Sequence, residues 1–201
     1  INCPYGFACL TSRPMNTPTP AQAFPSWNDA ATAGMDEPQL LLYRSNLLGS
    51  DLRITNYGGG NTSAKVWQKD PLTGEQAEVL WVKGSGGDIG SMNLDGFATL
   101  YMDKLESLKG HYKSLDQEDA MVHALNHCIF NLNPRAPSID TCLHGYVPYA
   151  HVDHVHPDAI IALAASSGGE AATQAIWGGN IGWLPWKRPG YTLGVMLRDY
   201  V

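Results

Sequence analysis

Leu40, Leu41, Leu47 and Leu48 recur among polar neighbours, a spacing that predicts a helix over Glu37 to Leu48. The period then shortens. Arg53 to Thr55 predicts a short strand, Tyr57-Gly58-Gly59-Gly60-Asn61 a glycine turn, and Thr62 to Trp67 a further strand. Val79 to Lys83 is an apolar strand ended by Gly84-Ser85-Gly86-Gly87. Leu100, Tyr101, Lys104, Leu105 and Leu108 then fall at helical spacing and predict a helix over Phe97 to Leu108. Ser114-Leu115-Asp116-Gln117 has the form of a capping box. It opens a helix with Met121, Ala124, Leu125 and Cys128 on one face, stopped by Pro134 and Pro137. A short helix over Ser138 to Gly145 and an alternating strand over His151 to His156 come next. Helices follow at Asp158 to Ala165 and Glu170 to Trp177, then a short strand from Ile181 to Trp186 and a helix from Tyr191 to Val201.

Residues 1–35 are rich in Pro, Thr and Ala without either period, and predict an irregular arm. Residues 36–201 predict one domain of α/β layers around a mainly antiparallel sheet. With 201 residues, 44% of them hydrophobic and 16% charged, the chain can bury a full core, which argues against a largely disordered protein. The net charge of −6 disfavours nucleic acid or an anionic membrane as a partner. An anionic small molecule remains compatible, because a nest of backbone N–H groups binds phosphate without net positive charge. No uncharged apolar run approaches the ~20 residues of a membrane span, and no basic segment leads into an apolar one at the start. The first residue is Ile1, consistent with a processed chain or a fragment. Of the four cysteines, no pair has CxxC spacing. Cys128 and Cys142 lie in apolar settings as core thiols, a Cys3–Cys9 pairing stays open, and the expected compartment is a reducing cytoplasm.

The segment His151-Val152-Asp153-His154-Val155-His156 carries the clearest chemistry. On a strand, i and i+2 share a face, so His154 and His156 can hold one metal ion while His151 points the other way. Neutral imidazole suits zinc, and a catalytic zinc takes three protein ligands and an open position. The same spacing also fits surface or core histidines of no special role. A hydrolase of the HxHxDH type would need histidine at 159, where the chain has Ala159. His123 and His127, four apart on a helix, read as a solvated face, and His111 and His144 receive no metal role.

Gly58-Gly59-Gly60-Asn61-Thr62-Ser63 and Gly84-Ser85-Gly86-Gly87 share one chemistry: glycines that let N–H groups approach an anion, with Asn, Ser and Thr adding donors. Neither is a P-loop or a GxGxxG fingerprint. Each alone reads first as a tight turn. Together with the HxH strand they point to a phosphorylated substrate beside a metal.

Asn56 to Ser63, Lys83-Gly84-Ser85-Gly86-Gly87-Asp88, Pro137-Ser138-Ile139-Asp140-Thr141 and His151 to His156 occur in the order of the class II aldolase/adducin family. Over roughly residues 37–201 the chain resembles that family, most closely the aldolase half of bifunctional rhamnulose-1-phosphate aldolase/short-chain dehydrogenase proteins. The resemblance implies a three-layer α/β/α fold, usually a homotetramer, that cleaves a ketose 1-phosphate into dihydroxyacetone phosphate and an aldehyde such as lactaldehyde. By position, His154 and His156 look like zinc (Zn2+) ligands. Asn61, Ser85, Gly86 and Ser138 look like phosphate contacts with Gly60 allowing close approach, and Asp140 falls at the catalytic carboxylate. On the residues alone, Asp140 is equally a helix N-cap. The family often has Glu where this chain has Asp140. The third zinc histidine, in a Gly-His-Gly context some 60 residues after the HxH pair, and the dehydrogenase half lie outside these residues, so the domain is expected to be C-terminally incomplete. A sugar-phosphate epimerase or dehydratase, a non-catalytic adducin-like binding module and a metal hydrolase are the alternatives.

Overall fold

The computed structural model describes residues 23–56, 58–112, 117–131 and 135–201. Its centre is a four-stranded, wholly antiparallel sheet of order β3-β2-β1-β4, with β1 at Asn61–Lys69, β2 at Gln76–Lys83, β3 at Phe97–Tyr101 and β4 at His151–His154. β1 and β2 form a hairpin in which Ser63 faces Val82 and Lys69 faces Gln76. Asp70 closes its turn, its carboxylate accepting from Leu72 N at 2.7 Å and Thr73 N at 2.9 Å, and Gly74 supplies the left-handed φ of 77°.

Helices cover both faces. A single turn, α1 (Asp29–Thr32), precedes α2 (Glu37–Gly49), which starts at a reciprocal cap: Asp36 accepts from Gln39 N and Gln39 Oε1 from Asp36 N, each at 2.9 Å. α2 packs Leu41 with Ala64, Ile89, Met92 and Phe97 on one face of the sheet. The opposite face sends Leu80, Val82, Ala98 and Leu100 into the larger core. There they meet α3 (Met102–Ser107), α4 (Glu118–Ala124) with its 3-10 continuation to Cys128, α5 (Thr141–Gly145) and α8 (Tyr191–Tyr200). The Glu118 carboxylate ties α4 to the start of α8, accepting from Tyr191 N and Thr192 N at 2.9 Å each. α6 (Asp158–Ala164) and α7 (Gly169–Trp177) form an outlying pair. The result is the expected α/β/α sandwich around an antiparallel sheet.

Three local expectations are corrected. Arg53 to Thr55 is a turn, not a strand: Ile54 N donates to Asp51 O at 2.9 Å, and the Asp51 carboxylate takes Arg53 N at 2.9 Å in place of a ladder partner. Phe97 to Tyr101 is strand β3, and the helix begins only at Met102. Because β3 is buried on both faces it shows no alternation, and its apolar run imitates a helical stripe. Ile181 to Trp186 is irregular backbone, with no strand pairing among the described residues. The capping box at Ser114 to Asp116 and Pro134 lie outside the described residues, as do Cys3 and Cys9. Cys128 and Cys142 are buried free thiols.

Candidate metal and phosphate site

β1 begins where β2 ends, so the hairpin brings Gly60-Asn61 and Lys83-Gly84 to the same end of the sheet. β4 lies antiparallel on the other side of β1 and sets His154 opposite Asn61. Strand alternation then sorts the side chains. Thr62 and His151 project toward α2, where Thr62 Oγ1 meets Ser45 Oγ at 2.6 Å and His151 Nδ1 lies 3.2 Å from Arg44 Nη1. Asn61, Ser63 and His154 project toward α5. His156 lies just past the end of β4, yet its ring returns beside His154: the two Nε2 atoms are 2.9 Å apart and the ring centroids 4.7 Å. His151 is thus separated from the pair, as strand geometry predicts.

The start of α5 supplies the third wall. Asn61 Nδ2 donates to Ser138 Oγ and to Asp140 Oδ2, both at 3.0 Å. Ser138 Oγ also accepts from Asp140 N at 3.2 Å and lies 3.4 Å from Asp140 Oδ2. Asp140 stands at the N-cap of α5 without a side-chain capping bond, so its carboxylate is turned toward Asn61 rather than spent on the helix. Ser85 joins through the backbone, its N–H donating to Ala136 O at 3.0 Å, and remains exposed with Gly86 at the loop tip.

Two glycines are dictated by this packing. Gly60 has φ of 78°, and a Cβ there would sit 2.7 Å from His154 O and 3.0 Å from Thr55 Oγ1. A Cβ on Gly59 would meet His156 Nδ1 at 2.8 Å. The loop at Gly58–Asn61 therefore lies directly against the histidine pair.

Electrostatics favour a neutral imidazole at His154 and at His144. Burial holds His154 below the ordinary histidine value, Asp140 offsets part of that, and His156 and Lys83 add to it. His144, entirely buried, is pushed down to about 3, first by burial and then by the neighbouring His154 and Arg44. Lys83, also buried, is held below its ordinary value by desolvation, with Asp140 and Asp88 pulling the other way. Lys83 and His144 received no role from the sequence. Their signals were a lysine ending an apolar strand before a glycine loop, and a histidine one helical turn after Asp140.

The donor set suits a divalent cation in part. Two imidazole nitrogens bound to one tetrahedral zinc at 2.0–2.1 Å lie about 3.3 Å apart, close to the separation of the two Nε2 atoms. His154 Nδ1 is buried without a hydrogen-bond partner. Among the described residues no group of three His, Cys, Asp or Glu side chains could hold an ion. His144 stands beside the pair: its Nδ1 is 2.8 Å from Ser63 Oγ, its Nε2 is buried without a hydrogen-bond partner, and its ring centroid lies 6.3 Å from that of His154.

An α/β/α domain with a histidine pair and two glycine loops at one end of its sheet is that of a class II aldolase-like protein. The profile of the Class II Aldolase and Adducin N-terminal domain matches residues 39–200, and the chain belongs to that family. A Bacillus subtilis (strain 168) protein named as an uncharacterized oxidoreductase, YuxG, is 44% identical over 161 residues. That match covers 80% of this chain but 23% of YuxG, so the chain spans about a quarter of this curated relative. The N-terminal class II aldolase domain of a conserved protein from Thermoplasma acidophilum superposes with a TM-score of 0.78 at 32% identity, covering 90% of this chain and 81% of that one. YgbL of Escherichia coli shares the fold alone, with a TM-score of 0.51 at 16% identity over 82% of this chain and 71% of its own. Among the described residues no helix is long and apolar enough to cross a membrane.

Proposed function

We propose that the chain carries out zinc-dependent aldol cleavage of a ketose 1-phosphate of the rhamnulose 1-phosphate type, giving dihydroxyacetone phosphate and an aldehyde such as lactaldehyde. The observation that carries the reading is the meeting of His154 and His156, 2.9 Å apart at Nε2, with the Asn61–Ser138–Asp140 cluster at one sheet end.

In this reading the phosphate lies against Gly60, Asn61, Ser85, Gly86 and Ser138, where backbone N–H groups and short polar side chains supply donors. His154 and His156 would hold the zinc, which as a catalytic ion would require a third protein ligand. When bound, zinc supplies Lewis-acid stabilisation of the negative charge that develops on the sugar oxygens as the carbon–carbon bond breaks. Asp140 handles the proton at C3. Its Oδ2 is engaged by Asn61 and Ser138, and among the described residues no hydrogen bond reaches Oδ1, which is left for substrate. Asn61 and Ser138 form the buried end of this cradle, and Ser85 and Gly86 its exposed rim. Assembly as a homotetramer belongs to the same proposal and is read by light scattering.

The test is release of dihydroxyacetone phosphate from rhamnulose 1-phosphate by zinc-loaded protein, followed through a coupled NADH assay. Release is expected from wild type once the zinc shell is complete, and Asp140→Asn then lowers kcat by about 100-fold or more with the fold intact. Appearance of an epimer or a dehydrated product without dihydroxyacetone phosphate would assign the site to the related epimerases or dehydratases instead.

A further inference from the structure

His156 lies two residues beyond the last residue of β4, and among the described residues no strand pairing holds it. Its ring nevertheless returns to His154, with the two Nε2 atoms 2.9 Å apart. Contacts other than the sheet ladder must fix the chain that leaves β4.

Two of them come from one residue, Asn56. Its carbonyl accepts from Gly59 N at 2.7 Å and closes the tight turn that presents Gly59. The His156 ring rests on that glycine: a Cβ there would stand 2.8 Å from His156 Nδ1 and 3.0 Å from Asn56 O. The Asn56 side chain then donates from Nδ2 to Asp158 Oδ1 at 2.7 Å, a bond between residues 102 apart in sequence. Asp158 is the first residue of α6, and only Pro157 separates it from His156. Pro157 has φ of −66° and little freedom to change it. Its carbonyl accepts from Ile160 N and Ile161 N at 2.9 Å each, so it is fixed to the start of the helix. A first-turn aspartate ordinarily serves the N–H groups of its own helix or faces water. Asp158 makes no side-chain capping bond, and its one hydrogen bond among the described residues goes to Asn56. Asn56 thus shapes the seat of the ring and tethers the backbone that carries it.

We infer that Asn56 and Asp158 form a clasp that positions His156: the bond between them holds the ring against Gly59 so that its Nε2 faces that of His154. The inference rests on the histidine-pair reading of this site and assigns the two positioning residues that give the second histidine its place. Neither is assigned a contact with substrate or a proton transfer. Outer groups that orient a metal-ligating histidine are worth about 10–100-fold in metal affinity.

The experiment measures zinc affinity by competition with a chromogenic chelator, and thermal unfolding without zinc. It compares wild type, Asn56→Ala, Asp158→Ala, Asp158→Asn, the double alanine variant and His156→Ala. Alanine at 56 keeps the carbonyl that closes the Gly59 turn. Asparagine at 158 keeps an acceptor for Asn56 Nδ2 and removes the charge. Each single alanine change is expected to weaken zinc binding about tenfold or more. The double variant should bind no more weakly than either, because both changes break one bond. Asp158→Asn should stay within about threefold of wild type. The unfolding temperature should barely move, since the bond is solvent-exposed. Affinity that follows charge, falling as far in Asp158→Asn as in Asp158→Ala while Asn56→Ala is unchanged, would overturn the clasp. Losses that multiply in the double variant would overturn it too, as would unchanged affinity in all four clasp variants. In each of these cases the histidine pair stands. If His156→Ala binds zinc as tightly as wild type, the pair is no metal site and the clasp falls with it.

Discussion

Single residues set the electrostatic character of the site. His144 has no titratable role in the proposed chemistry, yet its burial shapes stability. Its folded value of about 3 lies below the ordinary 6.5, so the unfolded chain binds a proton that the folded one refuses. The contribution of His144 is complete above about pH 6.5 and is lost as pH falls toward 3, at up to about 1.4 kcal/mol per pH unit. Urea unfolding between about pH 7 and pH 4 should show His144→Gln with a slope shallower than wild type by nearly one proton; an unchanged slope would mean that His144 is not the buried neutral base described. At Gly60 the constraint is steric. Gly60→Ala places a methyl 2.7 Å from His154 O on a backbone with φ of 78°. The expected outcome is a loss of about 1–3 kcal/mol and weakened zinc retention, read by unfolding and by zinc content after dialysis.

At the scale of elements, α5 and α8 pack close enough to exclude a methyl group. A Cβ on Gly194 would stand 2.7 Å from the Cys142 carbonyl carbon and 2.8 Å from Cys142 Cβ. Alanine is the better helix former by about 1 kcal/mol, but overpacking here costs about 1–3 kcal/mol, so Gly194→Ala should destabilise. Gly110→Ala, with nothing within 4 Å, is the control and should stay within about 0.5 kcal/mol of wild type. A neutral Gly194→Ala would show that α8 does not seat on α5 in this way. Elements were legible in the sequence wherever one face was polar. The leucine spacing of α2 and the HxH alternation of β4 could be read directly, and so could the glycine loops flanking the hairpin. β3 could not, because burial on both sides erases the period that separates strand from helix. Lys83 escaped notice for a related reason: an apolar run that ends in lysine looks like a strand surfacing, and only the tertiary fold shows that this lysine stays inside. The orientation of Asp140, toward Asn61 rather than onto α5, likewise depends on contacts 79 residues apart.

For the whole molecule, the central claim is that the sheet brings two half-sites together, a histidine pair from β4 and a phosphate cradle from the β1 and β2 ends closed by α5. Antiparallel pairing joins the strand segments, and the hydrogen bonds from Asn61 to Ser138 and Asp140 join them to α5. Disturbing the register should therefore disable both halves at once. The most direct measurement is a crystal structure of the protein soaked with zinc and dihydroxyacetone phosphate, with the metal located by anomalous scattering. The account predicts the anomalous peak on Nε2 of both His154 and His156, and the phosphate group within hydrogen-bond distance of Asn61 and the Gly84–Gly87 loop. A zinc ion held elsewhere with these histidines unligated, or a phosphate bound away from both loops, would contradict it.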